Sequence, residues 1–346
     1  MTQETPLLDI RDLSVHFHVY GGVLKVLDRI NFHVLPGERV GLVGETGCGK
    51  TTTMKTILRV LPSPPANIPG GEIFFQERDV LKMSQRELVH MRGQGISMIF
   101  QDPTAALNPV FSIGQQLTAV IRYASPENRN LNKNQLRERA LQALRQVALA
   151  DPERLLDSYP VQLSGGMRQR VCIGMALATQ PGLLIADEPG TALDVTIQDQ
   201  VLRLLQNLVE QRGNSFILIT HTLGIVRQMT DRVYVMYAGN MVEVAPTRRL
   251  FTNPLHPYTQ GLMDAVPRLT GGGISEGIPG RIPDYMDPPS GCRFSSRCPH
   301  AMPVCSREKP PVFRVEGPAD ESHEVACFLY DDAQKVSNYK AEAVPV

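Results

Sequence analysis

One stretch constrains the chain more than any other: Gly44-Glu45-Thr46-Gly47-Cys48-Gly49-Lys50-Thr51, which fits the pattern G-x-x-x-x-G-K-[ST]. The apolar run Val40–Val43 before it reads as a buried strand, and Thr52–Leu61 after it reads as a helix. That strand–loop–helix setting is what a phosphate-binding loop requires. Glycines let backbone N–H groups turn inward around an anion, and a helix N-terminus adds a positive dipole end. Lys50 is placed to reach the β- and γ-phosphates, and the Thr51 hydroxyl to hold Mg²⁺. The competing reading, a glycine-rich turn with a chance lysine, has to be weighed against the rest of the chain.

At 346 residues the chain exceeds what one core usually serves, so two domains are expected. Lys+Arg and Asp+Glu balance at 35 each, which gives no sign of a bulk polyelectrolyte partner such as nucleic acid. No apolar run approaches the roughly eighteen residues of a membrane span. Met1–Asp9 carries acidic residues and no apolar core of a secretion signal. A cytosolic chain, or a peripheral subunit on the cytosolic face, is the expectation. In a reducing compartment the six cysteines are not expected to form structural disulfides.

Taken in order, Leu13–Val19 and Val23–Val34 alternate apolar and polar residues around Gly21-Gly22 and read as a hairpin-like strand pair. Phe17 lies before that turn and Tyr20 at it; either aromatic can stack on an adenine ring or simply be half-buried in a strand. Residues 62–71, rich in proline and glycine, read as a loop, followed by short strands at Gly71–Phe75 and Ser97–Phe100. Leu136, Ala140, Leu144 and Val147 recur at helical spacing, so residues 104–160 read as a helical insert.

Ser164-Gly165-Gly166 then opens a helix, a second anion-binding design that serves equally as an ordinary N-cap. Leu183–Ala186 is a buried strand ending in Asp187-Glu188, two carboxylates where open α/β sheets place their ligands. An amphipathic helix through Ile197, Val201, Leu204, Leu205 and Leu208 closes at Gly213. His221 ends the strand Phe216–Thr220. Alternating strands and helices predict a mostly parallel sheet covered on both faces.

Together these motifs resemble the ATP-binding cassette (ABC) ATPases over residues from about 8 to 250. The resemblance comprises the Walker A loop Gly44–Thr51, the Q-loop glutamine Gln101 and the signature Leu163-Ser164-Gly165-Gly166-Met167. The Walker B pair Asp187 and Glu188, the D-loop Thr191-Ala192-Leu193-Asp194 and the switch histidine His221 complete it. It implies an α/β P-loop NTPase: a RecA-like core with an antiparallel β subdomain, a helical signature subdomain at about 102–179, and a small irregular cysteine-rich extension at 251–346. Phe100-Gln101-Asp102-Pro103, Leu107-Asn108-Pro109 and Asn253-Pro254-Leu255-His256-Pro257-Tyr258-Thr259 narrow the resemblance to the oligopeptide/dipeptide importer branch. Gly190, Thr191, Thr222 and Cys48 depart from the common residues, and none of these removes a group needed for hydrolysis.

Phosphoryl transfer to water asks a protein for position and charge. The resemblance implies that the Gly44–Thr51 backbone, Lys50 and Thr52 hold ATP. Thr51, Gln101 and Asp187 serve Mg²⁺, Glu188 polarises the attacking water, and His221 holds the γ-phosphate. Phe17 takes the adenine, with Tyr20 in reserve. Ser164, Gly165 and Gly166 complete the site of a second ATPase subunit, a related chain or a second copy, in a head-to-tail dimer. Two membrane permease subunits docking on the helical insert, and an extracytoplasmic solute-binding protein, are the further implied partners, with no nucleic acid.

Cys292, Cys298, Cys305 and Cys327 fall in a proline- and glycine-rich tail that needs a staple to order it. Four thiolates suit Zn²⁺ or a [4Fe–4S] cluster, and the spacing lacks the C-x₂-C knuckle common in structural zinc sites. Spacing alone does not decide between them, and it leaves open that none of the four is a ligand; the resemblance favours [4Fe–4S]. Cys172 reads as a small core residue.

The expected function is ATP hydrolysis driving import of dipeptides or oligopeptides. Import of nickel complexes, glutathione or another small solute is the alternative within the same branch. A cassette ATPase of DNA repair or translation would more often carry two cassettes, a long coiled coil or a basic arm. An ATP-binding regulator without turnover sits poorly with the retained Glu188 and His221.

Overall fold

The computed structural model describes residues 5–191, 193–265, 277–315 and 322–331. Its strands are β1 (Leu8–Val19), β2 (Gly22–Val34), β3 (Arg39–Val43), β4 (Ala66–Phe75), β5 (Arg78–Asp79), β6 (Ile96–Ile99), β7 (Leu183–Asp187), β8 (Ser215–Ile219), β9 (Arg232–Tyr237), β10 (Asn240–Pro246), β11 (Phe313–Val315) and β12 (His323–Val325). The chain divides into two compact units: Met1–Leu7, Val34–Arg39 and Gln76–Ile219 in one, and Leu8–His33, Val40–Phe75 and Thr220–Val346 in the other.

The first unit holds the parallel strands β6, β7 and β8. Every residue of β7 and β8 is buried, as expected for strands covered on both faces. Around them lie the helices Ile113–Ala124, Lys133–Gln146, Gly165–Ala178 and Val195–Arg212. The helix Ile113–Ala124 buries Ile113, Leu117, Ile121 and Ala124, one face at helical period. Its start is a capping box, with the Ser112 hydroxyl and the Gln115 side chain each taking a backbone N–H of the other. The helix Val195–Arg212 runs until Gly213 adopts the left-handed conformation and ends it.

In the second unit β1 pairs antiparallel with β4, with β2 on the other side of β1. A second group begins with β3 parallel to β9. It continues antiparallel through β10 and β12 to β11. The β9–β10 hairpin turns at Ala238-Gly239, and a Cβ on Gly239 would lie 1.9 Å from the Val26 carbonyl oxygen. Only glycine fits there. The tail therefore adds strands to the cassette sheet: Val325 and Glu324 pair with Glu243 and Val244. Val325, Leu255 and Cys327 form a small apolar cluster with Phe313, Val315, Leu329 and Tyr330 against it.

Several expected boundaries move. The helix after the phosphate loop runs Lys50–Ile57 and stops short of Leu61, and Arg59 takes a positive φ of 50°. Residues 66–71, expected in a loop, belong to β4, because pairing with β1 satisfies their backbone despite the Pro69-Gly70-Gly71 run. The expected irregular tail includes β11 and β12, because the free edge of β10 gives its backbone a partner. Among the described residues no helix is long and apolar enough to cross a membrane.

Candidate nucleotide site

The phosphate loop follows β3, as the sequence predicts, and enters the helix Lys50–Ile57 through Gly49 at φ 111°. No side chain caps that helix at Gly49, and a helix N-terminus carries the positive dipole end that suits an anion. Gly44 sits at φ 153°, and a Cβ there would lie 2.1 Å from the Met236 carbonyl oxygen. Lys50 is buried and its Nζ donates to the carbonyls of Gly44 at 2.7 Å and Glu45 at 3.0 Å. Those bonds hold the ammonium at the mouth of the loop. Cys48 is buried under it with Sγ 3.7 Å from Nζ, and burial pushes its thiol pKa up. Thr46 and Gly47 are exposed, and Thr51 and Thr52 half-buried. Phe17, in β1 opposite Ala66 of β4, is half-buried, whereas Tyr20 is fully exposed at the β1–β2 turn. His221 lies exposed just before the helix Leu223–Met229.

In the other unit β7 delivers Asp187 buried at its last position and Glu188 half-buried one residue on. Glu188 has φ 46°, in the left-handed region. A non-glycine residue there costs ~1–3 kcal/mol and persists where the surroundings over-determine it. Here the Glu188 N–H donates to the Ile219 carbonyl of β8 at 2.8 Å. Its carboxylate oxygen Oε2 accepts from Gln101 Nε2 at 3.1 Å and from Thr191 Oγ1 at 3.0 Å. The structure thus brings Gln101 and Glu188 together, 87 residues apart in sequence. It adds Thr191, a contact that sequence reading missed; its only signal was a hydroxyl three residues after the glutamate. Ala192 of the expected D-loop lies outside the described residues.

Ser164 is the N-cap of Gly165–Ala178, its Oγ accepting from the Met167 N–H at 3.3 Å. Ser164 and Gly165 are exposed and Gly166 half-buried. Arg168 of the same helix bonds Thr104 Oγ1 at 3.3 Å and the Pro160 carbonyl at 2.9 Å, tying the signature helix to the segment after Gln101. Cys172 is a buried core residue as expected, and burial pushes its thiol up to about 12.

Comparison with known proteins decides the family. Residues 27–191 match the ABC transporter family, and residues 242–305 match the C-terminal region of oligopeptide/dipeptide transporters. A probable peptide ABC transporter ATP-binding protein of Sinorhizobium fredii is 47% identical over 324 residues, 93% of this chain and 94% of its own. The oligopeptide transport ATP-binding protein OppD of Bacillus subtilis is 42% identical over 97% of this chain and 92% of its own. The chain belongs to the ABC transporter ATPases. Two solved structures share the fold of this ABC ATPase. CbiO1 of Clostridium perfringens has a TM-score of 0.59 and 26% identity, over 72% of this chain and 92% of its own. The ADP- and phosphate-bound dimeric cassette MJ0796 has a TM-score of 0.62 and 24% identity, over 70% of this chain and 99% of its own.

The cysteine tail of this ABC ATPase meets its expectation only in part. Cys292, Cys298, Cys305 and Cys327 do line one small cavity, together with His256, Phe294 and Met302. Yet among the described residues no group of three or more His, Cys, Asp or Glu is arranged to hold a metal ion. The thiols crowd: burial chiefly pushes Cys292 up to about 11 and Cys327 up to about 12, and their mutual repulsion adds to it. Four sulfurs around one cavity are a donor set suited to an iron–sulfur cluster, whose cationic irons would offset that repulsion. The cavity itself, about 10 Å³, has room for about one water, so a cluster would require the sulfurs to draw apart.

Proposed function

We propose that this chain is the ATP-hydrolysing translocase subunit of an importer that carries dipeptides or oligopeptides across the cell (inner) membrane, bound peripherally on its cytoplasmic side. The match of residues 242–305 to the oligopeptide/dipeptide transporter C-terminal region carries this reading. The peptide-transport names of relatives that span nearly the whole chain support it. In this reading residues 1–250 form the nucleotide-binding cassette and 251–346 an extension specific to the branch. Lys50, the Gly44–Thr52 backbone and Phe17 bind ATP; Thr51, Gln101 and Asp187 serve Mg²⁺. Glu188 polarises the water with His221 beside the γ-phosphate.

Gln101 sits on the carboxylate of Glu188 while its own segment is tied to the signature helix, which suits a residue that reports nucleotide state to the helical insert. Ser164, Gly165 and Gly166 serve the partner ATPase. The insert carries exposed Val110, Phe111 and Tyr123, and a cleft of about 540 Å³ between Tyr123, Arg137 and Leu156, suited to docking a membrane subunit.

The finer reading of the tail is a [4Fe–4S] cluster on Cys292, Cys298, Cys305 and Cys327, with a structural zinc as the alternative. About four iron per chain in anaerobically purified protein supports the cluster; one zinc without iron replaces it; neither metal removes both.

The test of function is reconstitution. Co-expressed with its membrane subunits and solute-binding protein in liposomes, the chain should hydrolyse ATP faster when peptide is supplied. ATP turnover that ignores peptide but answers to a nickel complex or glutathione would reassign the solute. Failure to copurify with any membrane subunit would sink the transport reading.

A further inference from the structure

Three residues far downstream bond to the phosphate loop within the same unit. Arg297 forms a two-pronged ion pair with Glu45, Nη1 to Oε2 at 2.9 Å and Nη2 to Oε1 at 3.0 Å. The Tyr258 hydroxyl accepts from the Glu45 N–H at 2.8 Å. The Tyr285 hydroxyl donates to the Gly47 carbonyl at 2.8 Å. None of the three lies within the matched cassette segment 27–191.

Glu45 occupies a variable position of the motif, where only the backbone is asked to face a phosphate, so its side chain is free for another task. Arg297 is well placed to use it. Its side chain is only 5% exposed, and it is itself fixed by the carbonyls of Ile278 at 2.9 Å and Pro279 at 2.8 Å and by the Tyr237 hydroxyl at 3.3 Å. Beneath it Tyr237, Tyr258 and Phe294 pack ring against ring, with centroids 4.7–5.5 Å apart. The Glu45 peptide is thereby held at three points: its N–H by Tyr258, its carbonyl by Lys50 at 3.0 Å, its side chain by Arg297. A loop whose N–H groups must converge on an anion binds better when its shape exists beforehand. Bidentate guanidinium–carboxylate pairs fix geometry as well as adding energy.

We infer that Arg297, with Tyr285, is a positioning residue for ATP binding: the C-terminal extension holds the phosphate loop in its nucleotide-ready shape through Glu45 and Gly47. The cassette then depends for its affinity on a segment that the matched cassette region lacks. By linkage, bound nucleotide stabilises the seat of the extension in return.

The test uses the full chain and a fluorescent ATP analogue, with Mg²⁺, and rests on the wild type binding that probe; failure of that control would count against the site assignment itself. Arg297→Met and Glu45→Gln should each weaken binding about tenfold, about 1.4 kcal/mol. Arg297→Lys should recover part of the loss, and Tyr285→Phe should cost a few-fold. The double variant Arg297→Met/Glu45→Gln should bind no worse than the weaker single variant, since both remove one interaction. For Arg297→Met and Tyr285→Phe, which lie outside the loop itself, turnover at saturating ATP in the assembled transporter should stay within about twofold of wild type, so the effect falls on KM. Should Arg297→Met fail to fold, Glu45→Gln and Tyr285→Phe, which leave the arginine in place, carry the same expectation. Unchanged affinity in these variants, with only the melting temperature lowered, would overturn the inference. So would losses that multiply in the double variant.

Discussion

Mild acid should loosen the seat of the C-terminal extension through one histidine. His256 is 1% exposed, and its Nδ1 accepts from the Tyr258 N–H at 3.0 Å, capping the helix Pro257–Asp264. Only the neutral ring can accept that bond. Burial lowers its pKa from 6.5 to about 4, against the pull of the Glu243 carboxylate. Phe294 packs on the ring, and the thiols of Cys292, Cys298, Cys305 and Cys327 line the same cavity. A histidine with a depressed folded pKa contributes stability that is present above its unfolded pKa. That stability is lost as pH falls through the window from about 6.5 to about 4, because the unfolded chain takes up the proton first. The full window is worth about 3 kcal/mol, and the step from pH 7 to pH 5 about 2 kcal/mol. Denaturant unfolding followed at both pH values gives the measured loss. His256→Asn keeps an N-cap acceptor without a titrating ring, so its loss over the same step should be smaller by about 2 kcal/mol. Equal losses in the two proteins would refute the assignment of this acid sensitivity to His256.

Other outcomes follow from the site. Glu188→Gln should retain ATP binding while turnover falls ~10²-fold or more, and should trap a nucleotide-bound dimer; near-normal turnover would place the water-polarising group elsewhere. Gly44→Ala should abolish nucleotide binding, since its methyl would sit 2.1 Å from the Met236 carbonyl at a positive φ; binding within a few-fold of wild type would show that the loop can move aside. Ser164→Arg should spare ATP binding by the isolated chain and remove cooperative hydrolysis in the assembly; loss of binding by the isolated chain would mean Ser164 serves its own site.

The sequence by itself determined the local machinery. Gly44, Gly47 and Gly49 all adopt positive φ, the conformations that their placement in the motif requires. The buried runs of β7 and β8 and the stop at Gly213 were likewise legible, because burial on both faces and left-handed caps leave their mark on neighbouring residues. Chain order carried Asp187, Glu188 and His221 to strand ends. Tertiary structure alone decided that the Glu188 carboxylate rests against Gln101 and Thr191, and that Glu188 adopts a left-handed backbone. It also decided that β12 extends the sheet at β10, making structure from a segment with little periodic apolar pattern. Most of all it decided that Arg297 reaches Glu45 across 252 residues of chain. A contact of that kind has no period and no spacing, since it depends on where two distant backbones are brought by packing. One arginine in a proline-rich tail looks like any other until the fold buries it against a carboxylate.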